Sequence, residues 1–181
     1  RPRGGWKTYN DLFGRSCKPG TRPVAAITDQ SVIVSPADAT FGGQWEIRED
    51  SEITIKGLHW RGMELLEGSP FKDRFKGGYF THSFLNTFDY HRQHAPVGGK
   101  IVEARNIQGT VYLEVKAEPI ANDPNGAHQI VARRAFDAPD NPGYEFIQTR
   151  GLIVIDSPMG LVAVLPMGMA QVSSVVITAE E

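Results

Sequence analysis

Two histidines three residues apart, His91 and His94, stand in the run Asp89-Tyr90-His91-Arg92-Gln93-His94, which follows an aromatic stretch and closes at Pro96. Residues at this spacing can share one side of a helical turn. Such a pair can bind a metal ion through neutral imidazole nitrogens. Alternatively, one member can work as a general base, or both can simply pack against aromatic rings in a solvated turn. Asp38, in Ser35-Pro-Ala-Asp-Ala39, is a second candidate. A carboxylate among small residues can turn inward and orient a histidine, or it can cap its own turn. His82 lies in Gly78-Tyr-Phe-Thr-His-Ser-Phe-Leu85 on the face that carries Phe80 and Phe84. There it is either a hydrogen-bonded core residue or a pocket ligand. His59 and His128 stand apart from other reactive residues. The chain has no Gly-x-Ser-x-Gly, no P-loop and no strand-borne Gly-x-Gly-x-x-Gly.

The elements that must hold these residues are short. Trp6, Tyr9, Leu12 and Phe13 fall at helical spacing and Gly14 follows, so a short helix is expected there. Lys18-Pro-Gly-Thr-Arg-Pro23 reads as a connector. Strands are predicted over Val24–Val34, with a polar turn at Thr28-Asp29-Gln30 between its two halves, in a hairpin over Gln44–Ile55, and over Gly78–Leu85, Ile101–Ala104 and Gly109–Val115. Three more are expected at Gly151–Ile155, Leu161–Leu165 and Gln171–Thr178. Short helical pieces are expected at Leu58–Leu66 and Phe71–Phe75. The polar run Glu118–Asn141 reads mainly as loop, with a strand around Gln129–Ala135.

Composition agrees with many turns and short strands. The 181 residues include 19 glycines and 12 prolines, with 40% hydrophobic and 22% charged residues. The expectation is an α+β, β-rich fold, with residues 1–181 as a single domain and 1–23 as an N-terminal helix and connector. A formal net charge of −2 gives no basic field for nucleic acid. One cysteine, Cys17, excludes an intrachain disulfide framework and a cysteine-rich zinc module. The most apolar stretch, Gly151–Ala170, is interrupted by Asp156-Ser-Pro158, which suits two buried strands better than a membrane span. The chain opens on Arg-Pro-Arg, as expected of a trimmed or processed product.

The run Phe84-Leu-Asn-Thr-Phe-Asp-Tyr-His-Arg-Gln-His-Ala-Pro-Val-Gly-Gly-Lys-Ile101 resembles the Asp-Tyr-His-Arg-x-His-x-Pro segment of phosphatidylserine decarboxylases. Tyr9–Phe13 and Lys18–Val24 are similar to that family's N-terminal element. Val34-Ser-Pro-Ala-Asp38 resembles its Pro-Ala-Asp-Gly segment, with Ala39 in the glycine position. Lys56-Gly57 and Val164–Val176 resemble two further segments, so the likeness runs in order along nearly the whole chain.

The resemblance implies a pyruvoyl-dependent decarboxylase made from a self-cleaving precursor. In that family a Gly-Ser-Ser/Thr triplet is cut so that a small C-terminal (α) subunit begins with the pyruvoyl group. Carried over by motif, His94 is the base that activates the serine, Asp38 orients it, and His91 handles the substrate. His82, Phe84 and Arg150 are expected on the substrate side, Arg150 being what remains of the family's Asn-Glu-Arg in Gln148-Thr149-Arg150. The chemistry is coherent, because a serine attacks well only beside a base. A pyruvoyl ketone then takes up the substrate amine as a Schiff base and becomes an electron sink.

This chain contains no Gly-Ser-Ser or Gly-Ser-Thr; Gly68-Ser69 is followed by Pro70. The expectation is therefore a large (β) subunit or truncated chain whose last strands and pyruvoyl serine lie elsewhere. Its partners would be the α subunit, an amine-bearing carboxylate substrate and a second copy in a homodimer. Two substrates stay open. One is phosphatidylserine, with membrane association through N-terminal segments outside this chain. The other is a free aromatic amino acid, as in a soluble fungal branch located in the cytoplasm, towards which the long insertion Glu118–Tyr144, the Phe84-Leu-Asn-Thr-Phe88 approach to the motif and the composition lean slightly. Rival readings are a non-catalytic β-rich module and a metal site built on His91, His94 and a carboxylate.

Overall fold

The computed structural model describes residues 4–48, 52–55, 58–109, 113–121, 124, 126, 128–134, 148–168, 172 and 174–180. Among them the chain is β-rich with little helix, an α+β fold as expected. Helix α1 (Tyr9–Phe13) comes first. The strands are β1 (Thr40–Glu46), β2 (Glu52–Ile55), β3 (Leu58–Arg61), β4 (Tyr79–Phe84), β5 (Lys100–Ile107), β6 (Leu113–Pro119), β7 (His128–Arg134), β8 (Arg150–Ser157) and β9 (Gly160–Val164). Two 3₁₀ turns, Gly62–Leu66 and Lys72–Phe75, lie between β3 and β4.

All the strand pairings among the described residues are antiparallel. β5, β8 and β9 form a three-stranded sheet with β8 in the middle, and β1–β4, β2–β3 and β6–β7 are two-stranded. The apolar run Gly151-Leu-Ile-Val-Ile155 suits the central strand, since both of its edges are paired and both faces are covered. Leu152 and Val154 are wholly buried and cluster with Leu66 and Ile107 against Phe71, Phe75, Val102 and Leu161. Burying each such side chain is worth roughly 1.5–3 kcal/mol. The neighbouring Leu65 packs on Phe80, Leu165 and Met167. The Leu65-Leu66 pair therefore joins the three-stranded sheet to β4, the strand that leads into the histidine motif.

Several expected elements differ. Val24–Val34 is a chain of turns rather than a strand. Asp29 Oδ1 accepts the Ser31 N–H (2.9 Å) and the Ser31 hydroxyl (2.6 Å), and Ala26 has a positive φ of 48°. This local side-chain bonding competes with a ladder and wins. The hairpin over Gln44–Ile55 does not form. β1 pairs with β4 and β2 with β3, so the two halves of the expected hairpin belong to different sheets. Its turn residues Glu49 and Asp50 lie outside the described residues. Leu58–Leu66 is strand followed by a 3₁₀ turn, not one helix. The expected strand at Ile101–Ala104 extends from Lys100 to Ile107. The strand expected from Gly109 starts at Leu113, with 110–112 outside the described residues.

The strands at Gly151–Ile155 and Leu161–Leu165 are present, and β7 coincides with the strand read around Gln129–Ala135. Residues 174–178 are not a strand. Both edges of β8 are already taken by β5 and β9, so this segment adds by side chains. Asn106 Nδ2 donates to Val175 O (3.0 Å). A Cβ on Gly151 would stand 3.1 Å from Val175 Cγ1, so the missing side chain lets the segment lie close.

Candidate active site

The histidine motif is a loop between β4 and β5, fixed from two sides. On the first side is α1. Its five residues are too few to be stable alone, but Thr8 and Asp11 form a reciprocal capping box, with both bonds 3.1 Å. Arg92 closes the other end by donating to Gly14 O (2.7 Å from Nη2) and to Arg15 O (3.1 Å from Nε). A cation on the last carbonyls of a helix also suits its dipole. Arg15 returns the contact by donating to Phe88 O (3.0 Å) and Asp89 O (2.9 Å). Two arginines thus cross-link helix and motif through each other's backbone.

Within the loop, Asp89 Oδ2 accepts the Asn86 N–H (2.7 Å), and the Asp89 N–H donates to Asn86 O (3.0 Å). Asn86 O also accepts from His91 Nε2 at 2.7 Å. A carbonyl only accepts, so the His91 proton sits on Nε2. The His91 ring stacks on Phe13, with centroids 3.7 Å apart and planes 21° from parallel. His91 is therefore held between the motif's own turn and α1.

On the second side is the segment that carries Asp38. The His94 N–H donates to Pro36 O (2.8 Å) and the Val34 N–H to Pro96 O (2.9 Å). These two bonds lay Val34–Pro36 along His94–Pro96, which puts Asp38 beside the motif although 56 positions separate the two residues in sequence. Asp38 does not cap its own turn: Ser35 Oγ bonds Ala37 O instead (2.7 Å). The carboxylate is taken by Arg22, whose Nε donates to Oδ2 at 2.5 Å and whose Nη2 pairs with the same oxygen. Nη1 of Arg22 reaches Cys17 Sγ. The bond to Asp38 holds the Arg22 guanidinium pKa above its ordinary value. The guanidinium also lies over the Tyr90 ring, 4.3 Å from its centroid. Tyr90 is buried, and its ring runs nearly parallel to that of His94, at 5.7 Å and 15°.

Asp38, Arg22, Tyr90 and His94 are thus a contiguous set. Asp38 and His94 are not hydrogen-bonded to each other. His94 is exposed, and among the described residues nothing bonds either of its ring nitrogens. An accessible imidazole whose nitrogens carry no bond among the described residues can take or give a proton. A metal-binding pair would need both rings aimed at one point. Here Nε2 of His91 is committed to a carbonyl, and no group of three or more His, Cys, Asp or Glu that could hold a metal occurs among the described residues.

The other candidates separate. His82 is half-buried on β4, opposite Gly43 across a β-bulge. A Cβ on Gly42 would stand 2.9 Å from His82 Nδ1, so a glycine there is what lets the ring lie against β1. Phe84 ends β4, opposite Thr40, and is 39% exposed.

Arg150 is 2% exposed and faces the core. Its guanidinium donates to Leu65 O (2.9 Å), Glu64 O (3.0 Å) and Gln148 O (3.1 Å). Burial lowers its pKa, and Glu67, 3.9 Å away, counters that in part. In this structure Arg150 ties β8 to the Gly62–Leu66 turn. Gln148, also wholly buried, makes no side-chain hydrogen bond among the described residues.

The sequence reading missed Arg22 and Tyr90. Both stand inside the segments that carry the family resemblance, Arg22 in the Lys18–Val24 connector and Tyr90 in the histidine motif, but nothing in their spacing assigns either a role.

Comparison with known proteins bears on this arrangement. The chain is 34% identical over 181 residues to phosphatidylserine decarboxylase proenzyme 3 of Schizosaccharomyces pombe, covering 99% of this chain and 17% of that protein. It is 27% identical to the phosphatidylserine decarboxylase proenzyme of Anaeromyxobacter sp. strain K, over 94% of this chain and 53% of that protein. It is 25% identical to the L-tryptophan decarboxylase of Psilocybe cubensis, over 99% of this chain and 42% of that protein. The chain thus spans about half, or less, of the length of these relatives. The family model for phosphatidylserine decarboxylase matches residues 9–181, from the first residue of α1 to the last of the chain. With the motif, the Asp38 segment and the N-terminal element all inside that match, the chain belongs to the phosphatidylserine decarboxylase family.

Proposed function

We propose that this chain is the histidine-bearing part of a pyruvoyl-dependent decarboxylase that matures by cutting its own precursor. The observation that carries the reading is His94, exposed and, among the described residues, unbonded at both ring nitrogens, in a family motif with the Asp38 segment bonded alongside it. The relatives' description as proenzymes supports a precursor with a second product.

His94 takes the proton of a serine hydroxyl supplied by the C-terminal part of the precursor, which leaves the oxygen free to attack the preceding carbonyl. Asp38 stabilises the imidazolium that results. The donor set fits such a partner, because His94 faces solvent and one Asp38 oxygen, Oδ1, accepts no bond among the described residues. When bound, the pyruvoyl group supplies a ketone that accepts the electrons left by departing carbon dioxide. The roles of this chain's own residues are proton transfer by His94 and positioning of the substrate by His91, whose Nε2 is bonded to Asn86 O and whose Nδ1 carries no bond among the described residues. His82 and Phe84 border the entrance to the motif. Arg150 supports that region from within the core rather than touching substrate.

The substrate class is an α-amino carboxylate. Phosphatidylserine is favoured, because the relative named for it is 34% identical over the whole chain, against 25% for the tryptophan enzyme. The test is expression of the full-length precursor with and without His94→Ala. Intact mass should show two chains for the parent, the smaller with a blocked N-terminus, and one uncut chain for the variant. Carbon dioxide release from phosphatidylserine vesicles, and not from tryptophan, is expected of the cut protein. Normal cutting by His94→Ala removes His94 from the base role.

A further inference from the structure

We infer that Arg22 is a positioning residue for the acid–base pair, setting the Asp38 carboxylate so that one oxygen is held and the other is presented. The inference rests on the roles proposed above for Asp38 and His94. Three contacts converge on it. Arg22 directs two nitrogens, Nε and Nη2, at the same oxygen, Oδ2. A guanidinium more often engages a carboxylate side by side, one nitrogen to each oxygen. The one-oxygen arrangement leaves Oδ1 as an acceptor for an imidazole N–H. The same guanidinium lies over Tyr90 at 4.3 Å, and the Tyr90 ring lies nearly parallel to that of His94. Tyr90 is 5% exposed and cannot move freely, so it references Arg22, and through it Asp38, to the histidine. Finally, Nη1 is used on Cys17 Sγ, so every nitrogen of the guanidinium has a partner and its orientation is fixed.

Lysine could keep the charge near Asp38. It could not bring two donors to one oxygen while lying flat on a ring. The conservative replacement should therefore restore part of the function, and a neutral one none.

The experiment measures self-cutting of the full-length precursor in four variants: Arg22→Met, Arg22→Lys, Asp38→Ala and His94→Ala. Thermal midpoints are followed alongside. Arg22→Met is expected to cut at least tenfold more slowly, within the loss that a misplaced catalytic group produces. Arg22→Lys should fall between it and the parent, with both midpoints near the parent's. Parent-like cutting by Arg22→Met overturns the inference, and so does Arg22→Lys cutting no faster than Arg22→Met. If Arg22→Met fails to fold, Arg22→Lys decides: slower cutting at an unchanged midpoint supports the inference, and the parent rate overturns it. Should Asp38→Ala and His94→Ala stop cutting while Arg22→Met does not, only the role of Arg22 falls. If those two cut normally, the functional reading itself falls.

Discussion

The β5–β8–β9 sheet and the motif loop use the same kind of side chain in opposite ways. In the sheet, Arg150 is buried and spends its guanidinium on three backbone carbonyls, between Leu65 and the wholly buried Leu152 and Val154. In the motif region, Arg15, Arg22 and Arg92 lie at or near the surface, and each joins segments far apart in the chain or the two candidate catalytic segments. The sheet is held by apolar area with one saturated cation inside it. The loop buries little beyond Tyr90, Pro96 and Val97, and is held by directed polar bonds and ring stacking. A reactive histidine needs solvent and a partner, so it cannot sit in the first environment. Geometry there must come from bonds that work without burial.

That contrast can be broken by substitution. The largest effect is expected from His94→Ala, which should slow self-cutting of the full-length precursor by roughly a thousandfold or more while leaving its unfolding midpoint nearly unchanged; a time course by gel and a thermal melt check both halves. Arg150→Met should do the reverse. It takes the Arg150 donor from the carbonyls of Leu65 and Gln148 and one of two donors from Glu64 O, which keeps the Glu67 N–H, at a cost of about 3 kcal/mol by the usual penalty for stranded buried groups, measured by denaturant unfolding of the same precursor. Arg92→Ala should cost about 1 kcal/mol, as for loss of a helix-end contact. Hydrogen exchange would show it confined to α1 and residues 86–94, with the β8 amides unmoved; loosening of β8 would mean that the two regions are not separable.

The smallest effect concerns Asp29. Ser31 holds its carboxyl pKa below the ordinary value by hydrogen bonds from the hydroxyl and the backbone N–H. Such a group adds stability above its unfolded pKa, about 3.9, and that contribution is lost as pH falls through the lower folded pKa. Protection of the Ser31 amide should fade on acidification, and Asp29→Ala should abolish the dependence.

Much of the sheet was legible in the sequence. Gly151-Leu-Ile-Val-Ile155 and Leu161–Leu165 announce themselves by apolar run and turn punctuation, and Asp156-Ser-Pro-Met-Gly160 turns between them. Trp45 and Ile53 looked like halves of one hairpin because alternation reports that a segment is a strand and says nothing of its partner. Val24–Val34 had the composition of two strand pieces; the polar turn read at Thr28-Asp29-Gln30 is there, where Asp29 and Ser31 bond to each other, and the flanking pieces form no strand. The site was legible as residues and not as an arrangement. The motif showed His91 and His94, and the Pro-Ala-Asp segment showed Asp38.

The sequence by itself determined the family, the β-rich class and the residue types able to move a proton, because these depend on local pattern and on motif order. Only the tertiary structure decided that Pro36 O would bond His94, that Arg22 would join Asp38 to Tyr90, and that Arg150 would be buried. Those facts depend on which separate segments meet, and contacts across 16 to 86 positions leave no periodic trace in the chain.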